Sequence, residues 1–302
     1  KIKLNEKLKE ITDNNYNINF SKQISFKLLK NTNLIDFIKN NLNPVQILGN
    51  TEPINSPNIL LLGSQSVAKS FFYHTLKDAK IYSVSNNRSL LAYGERVASV
   101  NKIKNINFIH GDITTIDEIN NKFDLIDINR SINYYKNGKD LIDNLCSKLN
   151  DVGYMRIELI SENSFKPLKK LEDLINDSKT NYKFNNISDL RTFIRNIEDE
   201  DLERFSRQYL FFDGHRLQQH LNNSIESFIT LNDCDEIIKK LELKFLGWSD
   251  IIDINLRQLF FNNYNSFNKE DILYNNLLKW ADFEKKQPFN NTYNYSMWLK
   301  KK

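Results

Sequence analysis

Asn58-Ile59-Leu60-Leu61-Leu62-Gly63-Ser64-Gln65-Ser66-Val67-Ala68-Lys69 is the stretch on which the fold turns. An apolar run that ends in a single glycine reads as a buried strand feeding a turn and then a helix. Such a turn cradles a nucleotide when glycines let the backbone adopt positive φ or approach the ligand closely. Only Gly63 is available for that here, so an ordinary strand-to-helix turn capped by Ser64 or Ser66 stands beside the ligand-binding reading.

Downstream, short apolar runs recur at Ile81–Val84, Ile106–Ile109, Leu125–Ile128 and Tyr154–Ile160, separated by stretches with helical spacing. Five strands alternating with helices predict a parallel, doubly wound α/β sheet of Rossmann-like type. Residues 162–242 lack a comparable strand and carry helical patterns at Leu168–Ile175, Leu190–Ile197 and Ile237–Leu243, which predicts a helical insertion. Phe245–Trp248 and Tyr295–Leu299 then supply the sixth and seventh strands, with the insertion between strands five and six. Upstream, Phe26, Leu28, Leu29, Leu34, Ile35, Phe37 and Ile38 predict a leading helical segment within residues 1–57, ahead of the main domain at 58–302.

Composition narrows the function classes. Forty-two Lys and Arg against 38 Asp and Glu give a formal charge of +4, dispersed except at Lys300–Lys302, so no nucleic-acid footprint is indicated. Cys146 and Cys234 lie far apart with no CxxC partner, which argues against a disulfide framework or a cysteine zinc site. His215 and His220 are five apart, and His74 and His110 fall in apolar stretches, so no metal site is expected. No run reaches the roughly 18 apolar residues of a membrane span and residues 1–20 lack a signal-peptide core, from which a cytoplasmic location is expected. The chain begins at Lys1 rather than Met and is read as an excised or processed part of something longer. The abundance of Asn, Lys and Ile carries no functional weight.

In a doubly wound sheet ligands bind beyond the carboxyl ends of the strands. The residues there are Gly63 to Ser66, Ser85 to Asn87, Gly111 to Ile113, and Asn129. With these in place the chain resembles the class I S-adenosylmethionine-dependent methyltransferases, in particular the bacterial branch often fused behind tetratricopeptide repeats. Ile106-Asn107-Phe108-Ile109-His110-Gly111-Asp112-Ile113 is similar to that branch's third motif, and Phe123–Asn129 to its fourth. Lys148–Ile157 resembles its lead into the fifth strand. Ser206-Arg207, Gly214, Arg216, Leu243–Trp248, Trp280, Phe283, Glu284, Pro288, Tyr295 and Trp298 recur at its spacing. The repeats themselves are not in this chain.

The resemblance implies S-adenosylmethionine as cofactor, with Asp112 and Ile113 at adenine, Ser85 and Asn86 at the ribose, and Gly63, Ser64, Gln65 and Ser66 facing the methionine portion. It puts Asn129 near the reacting centre and Asn133, Tyr134, Arg207 and Arg216 toward the substrate, with no metal and no assignable catalytic residue. Asn133 and Tyr134 stand where the branch often has paired histidines. Trp280, Tyr295 and Trp298 read as core packing.

The departures are equally specific. Gln65 and Val67 replace glycines, and a β-branched residue held at positive φ predicts strain of about 1–3 kcal/mol. Ser85 replaces an acid that accepts both ribose hydroxyls, a loss of roughly 1.5–3 kcal/mol. Three readings therefore remain: a methyltransferase acting on an unidentified acceptor, an inactive methyltransferase-fold protein that binds or scaffolds a partner, and a crevice rebuilt for another nucleotide-like ligand. Oligomeric state is not legible.

Overall fold

The apolar runs become strands, and those in the middle of the sheet are covered on both faces. In the computed structural model, described at residues 32–43, 48, 51–63, 65–129, 131–160, 162–176, 186–207, 209–212, 214, 217, 226–249, 260, 276–286 and 294–302, they form one mixed sheet. Its strands are β1 (Leu42–Asn43), β2 (Asn58–Gly63), β3 (Lys80–Ser85), β4 (Ile106–His110), β5 (Phe123–Asn129), β6 (Leu149–Ile160), β7 (Leu243–Ser249) and β8 (Asn294–Lys301). The order across the sheet is β1-β7-β8-β6-β5-β2-β3-β4. Strands β2 to β6 are mutually parallel, while β8 runs antiparallel to both β6 and β7. The seven expected strands are thus present, joined by the two-residue β1 paired antiparallel to β7.

Ile59 and Leu61 of β2 face one way and Leu60 and Leu62 the other, all at most 2% exposed. The Leu60 face packs with Val84, Ile126, Ile128, Met155 and Ile157 under α4 (Gly138–Ser147), α9 (Leu231–Lys240) and α10 (Leu277–Lys286). The Ile59 face packs with Ile81, Leu125, Tyr154 and Trp298 under α1 (Leu34–Asn41) and α2 (Ser66–Tyr73). Burial on both faces is why these strands read as continuous apolar runs without alternation.

The leading segment shares this core. Asn33 caps α1 by accepting from the Asp36 N–H at 3.0 Å, and Leu34, Ile35, Phe37 and Ile38 are all buried. At about 2 kcal/mol for each fully buried side chain, the gross gain well exceeds one hydrogen bond or ion pair. Phe37 meets the rings of Tyr73 and Trp298, while the Trp298 Nε1–H donates to the Asn41 carbonyl at 3.2 Å. The part of the expected leading helix before residue 32 lies outside the described residues.

Between β6 and β7 the described insertion contains α5 (Glu162–Asn176), α6 (Ile187–Asn196), α7 (Glu200–Phe205), α8 (Tyr209–Phe212) and α9. Leu168, Leu171, Leu190, Ile194, Leu202, Phe205, Phe211 and Leu217 form its own core together with Ile160, the last residue of β6. Tyr134, just beyond β5, packs on the same cluster. Both roots are carboxyl ends of strands, so the helical layer stands at the edge of the sheet where ligands of such folds bind. Trp280, Tyr295 and Trp298 are at most 5% exposed and serve as packing, with Trp280 stacked on Phe260 at 3.9 Å.

Helix α3 (Arg88–Val100) crosses close to α2 at Gly94. A Cβ built there meets Phe108 Cε1 at 2.7 Å and Val67 Cγ1 at 2.8 Å, one a ring atom and one on a stiff branched side chain. Alanine in a helix interior normally gains roughly 0.5–1 kcal/mol over glycine, but forced overpacking costs about 1–3 kcal/mol. Gly94→Ala is therefore expected to lower the unfolding free energy, seen as a lower urea midpoint at unchanged slope; an unchanged or higher midpoint contradicts the close approach.

Candidate functional site

The sheet reverses its order between β2 and β5, where the crevice of a doubly wound fold opens. Gly63 ends β2 at φ 102°, a conformation that disfavours any side chain, and pairs in register with Asn129 at the end of β5. Gln65 caps α2 with φ −101°, and Ser66 and Val67 already lie in the helix. Among the described non-glycine residues, positive φ occurs only at Ser56, Asp78, Lys102 and Glu242. The strain expected at Val67 is therefore absent. Its side chain is buried against Phe71, Leu91 and Ala98 in the α2–α3 contact. The helix starts at Ser66, and of the described turn residues Gly63 and Gln65 only Gly63 has positive φ.

Ser66 is 1% exposed and its hydroxyl donates to the Val84 carbonyl at 2.9 Å, which ties α2 to β3. Ser85 is 5% exposed, and its hydroxyl oxygen accepts from the Asn87 N–H at 3.2 Å, closing a turn. Asn86 is exposed beside it. Ile113 is buried in the core. Ser64 and Arg216 lie outside the described residues. Arg207 is exposed and pairs with Glu203 on its own helical segment.

Asp112 caps the 3-10 turn Ile113–Glu118, its Oδ1 accepting from the Thr114 N–H at 2.8 Å and the Thr114 hydroxyl at 2.5 Å. The Tyr135 hydroxyl also donates to it. Burial pushes the Asp112 carboxyl up, but these bonds together outweigh it and hold the pKa below the ordinary value. Burial and the Asp112 charge push Tyr135 up to about 12, so the phenol keeps its proton and Asp112 remains an anion. Asn133 is fully buried and structural. Its Oδ1 accepts from the Ile160 N–H at 3.0 Å, its Nδ2 donates to the Ser227 carbonyl at 3.1 Å, and its carbonyl accepts from Glu226 and Ser227 N–H groups.

Beneath the crevice two registered rows cross the sheet on the α2 face. One runs Gly63, Asn129, Glu158 and Ser296; the next runs Leu61, Asp127, Arg156 and Trp298. Along α2, Gln65, Lys69 and Tyr73 recur at i, i+4 and i+8, so they line one helix face above these rows. Asn129 Nδ2 donates to Glu158 and, at 3.3 Å, to Gln65 Oε1. Asp127, with no exposed side-chain surface, accepts from Lys69 at 2.8 Å, from the Tyr73 hydroxyl at 2.7 Å, and from Arg156 at 3.2 and 3.3 Å. The set balances Lys69 and Arg156 against Asp127 and Glu158.

Burial raises the Asp127 pKa, yet the Lys69 and Arg156 charges and the bonds from Lys69 and Tyr73 prevail, and the net shift is downward. Burial lowers Lys69 more than Asp127 raises it. Sequence reasoning singled out none of Lys69, Tyr73, Asp127, Arg156 and Glu158. The available signal was charge inside apolar strands at alternate positions, 127 in β5 and 156 and 158 in β6, together with the helical spacing 65, 69, 73. Among the described residues no cluster of His, Cys, Asp and Glu is arranged to hold a metal ion.

Removing the Asp127 charge leaves two cations without their shared partner. Asp127→Asn is expected to lose about 3–5 kcal/mol of unfolding free energy, read by urea unfolding at neutral pH. Because the folded pKa is depressed, the stabilisation is complete above the unfolded value, about 4, and disappears as pH falls through the folded value. The stability–pH profile of the variant should therefore lose part of the acid limb; a parallel profile contradicts the assignment.

Comparisons with known proteins bear on the family and the fold. A family model described as "Methyltransferase domain" matches residues 63–227, more than half of the chain. A search of curated proteins returns no match. Among solved structures the chain is similar to PKMT2 from Rickettsia typhi, at 15% identity and TM-score 0.59, covering 88% of this chain and 51% of that one. PKMT2 from the same organism in complex with AdoHcy gives 13% identity and TM-score 0.54, covering 81% and 48%. The plantazolicin methyltransferase BpumL in complex with SAH gives 14% identity and TM-score 0.45, covering 98% of both chains. The chain spans about half the length of the PKMT2 chains, and at these identities the likeness concerns the fold. With the family match running from the end of β2 into the helical layer, and the seven long strands in their observed order, the chain belongs to the methyltransferase domain family.

Proposed function

We propose that this chain binds S-adenosylmethionine along the carboxyl ends of β4, β3, β2 and β5 and transfers its methyl group to an acceptor admitted beside the helical layer. The observation that carries the reading is the pairing of an ionised, partly exposed Asp112 with a side-chain-free Gly63 at the switch point. Asp112 is an acceptor for an exocyclic amine, and Gly63 leaves room at the strand end. From the end of β4 to the end of β5 is three strand spacings, about 14 Å at roughly 4.8 Å each, which a nucleoside bearing an amino-acid tail can span. That PKMT2 from Rickettsia typhi was solved in complex with AdoHcy supports the choice of ligand.

The donor set fits with one adjustment. Ser85 is committed to its own turn, so the exposed Asn86 amide is the group left to meet a ribose hydroxyl, a neutral contact in place of a charged one. Bound S-adenosylmethionine supplies an electrophilic methyl on a sulfonium. The chain's own task is to align the acceptor and exclude water, which general positioning achieves without a catalytic dyad. Ile160 and Tyr134 root the helical layer next to the crevice, suited to that closure.

One observation favours the inactive-scaffold reading. The Gln65 side chain bridges to Asn129 across the switch point, where a glycine-rich loop would leave open space. A neutral bond of this kind contributes about 0.5–1.5 kcal/mol, against about 8 kcal/mol from a micromolar ligand, so displacement on binding is affordable.

Calorimetric titration with S-adenosylmethionine and S-adenosylhomocysteine tests the proposal. Micromolar dissociation constants are expected, weakened about tenfold or more by Asp112→Ala and tightened severalfold by Gln65→Gly. No heat at millimolar ligand for either the parent or Gln65→Gly overturns the enzyme reading and leaves the scaffold.

A further inference from the structure

Lys69 is the one member of the buried ionic cluster placed to do more than hold it together. Asp127 already accepts from Arg156 through both oxygens and from the Tyr73 hydroxyl. The carboxylate therefore keeps a counter-charge and two donors if Lys69 turns away. The Lys69 ammonium, by contrast, makes a single hydrogen bond among the described residues, to Asp127, and an ammonium has three donors. Its side chain is 18% exposed, against 9% for Arg156 and none for Asp127.

Position adds to chemistry. Lys69 follows Gln65 by one helical turn on the same face of α2, and Asp127 precedes Asn129 by two residues on the same face of β5. The Lys69 ammonium thus lies one row beneath the Gln65–Asn129 bridge at the switch point. Its stem is flexible and its head a compact point charge, so it can swing up where a planar guanidinium held at two oxygens cannot. Glycines that would have let backbone amides approach an anion are missing from this turn, and a side-chain cation stands directly below it.

We infer that Lys69 anchors the carboxylate of an amino-acid-bearing ligand at the switch point, exchanging its bond to Asp127 for one to the ligand when the Gln65–Asn129 bridge opens. The inference rests on the cofactor reading above, and it names Lys69 as a binding residue that confers preference for the amino-acid end. Arg156 and Tyr73 keep Asp127 satisfied meanwhile, so the exchange leaves no buried charge alone.

Two probes that share a nucleoside separate the possibilities: S-adenosylhomocysteine, which carries the amino acid, and 5′-methylthioadenosine, which does not. Lys69→Gln is expected to weaken S-adenosylhomocysteine about ten- to a hundredfold while changing 5′-methylthioadenosine less than about threefold, and Lys69→Arg to recover part of the loss. Unchanged binding of the smaller probe also reports that the variant is folded. Equal weakening of both probes, or no weakening of either, overturns the anchor role while leaving the cofactor reading intact. Failure of the parent protein to bind either probe overturns the cofactor reading and the anchor with it.

Discussion

The Asp127 carboxylate is the point from which the crevice is built. It stands in the middle strand of a sheet covered on both faces, and it is held ionised there because a helix and a neighbouring strand each bring a cation to it. Taking an isolated carboxylate out of water is prohibitive, so the strand tolerates it only with a counter-charge and hydrogen-bond donors in place. Conversely, the partners fix geometry. Lys69 and Tyr73 lock the rotation of α2 on the sheet, which sets where Gln65 and Gly63 present themselves, while Arg156 locks the register of β6 against β5. An apolar cluster of equal volume would pack α2 as tightly without choosing one rotation so strictly.

Most of the fold was legible because burial on both faces leaves a strong mark. Leu60 to Leu62, and Leu125 with Ile126, are apolar on adjacent positions for one reason, and the alternation with helices then fixes a parallel sheet. The insertion was visible as the loss of that pattern after Ile160. Strand β1 was not, since a two-residue pairing of Leu42 and Asn43 with β7 carries no periodicity. The site was less legible. Motif position led to Gly63, Asp112 and Asn129, which do line the strand ends, but it could not tell that Ser66 and Ser85 spend their hydroxyls on backbone groups. It also misjudged Val67, because the start of α2 is decided by which side chains pack against α3 and not by the glycine count. Asp127 and Arg156 were passed over because each looks like a flaw in an apolar strand when read alone; only the registered pairing makes them complementary.

Charge placement also separates the two ends of the crevice. At the β4 end, Asp112 is an anion with its acidity supported by neutral donors, Thr114 and Tyr135, so it has attraction left for a polar amine. At the β5 end the charges are already matched within the cluster, so a ligand group arriving there must trade partners. On the proposed reading one end selects by simple acceptance and the other by exchange, and a ligand satisfying both is held in a single direction.

Asn133 has a mechanical consequence. Its side chain and carbonyl join three segments at once: the connection after β5, the end of β6, and residues 226–227 on the return from the helical layer. Four hydrogen bonds of about 1 kcal/mol each would have to break together to part them. The layer is therefore clamped to the sheet at both its departure and its return, in the manner of a visor riveted at two temples. Any opening motion must therefore keep the connection after β5, Ile160 and residues 226–227 together, and the return into α9 moves with the sheet.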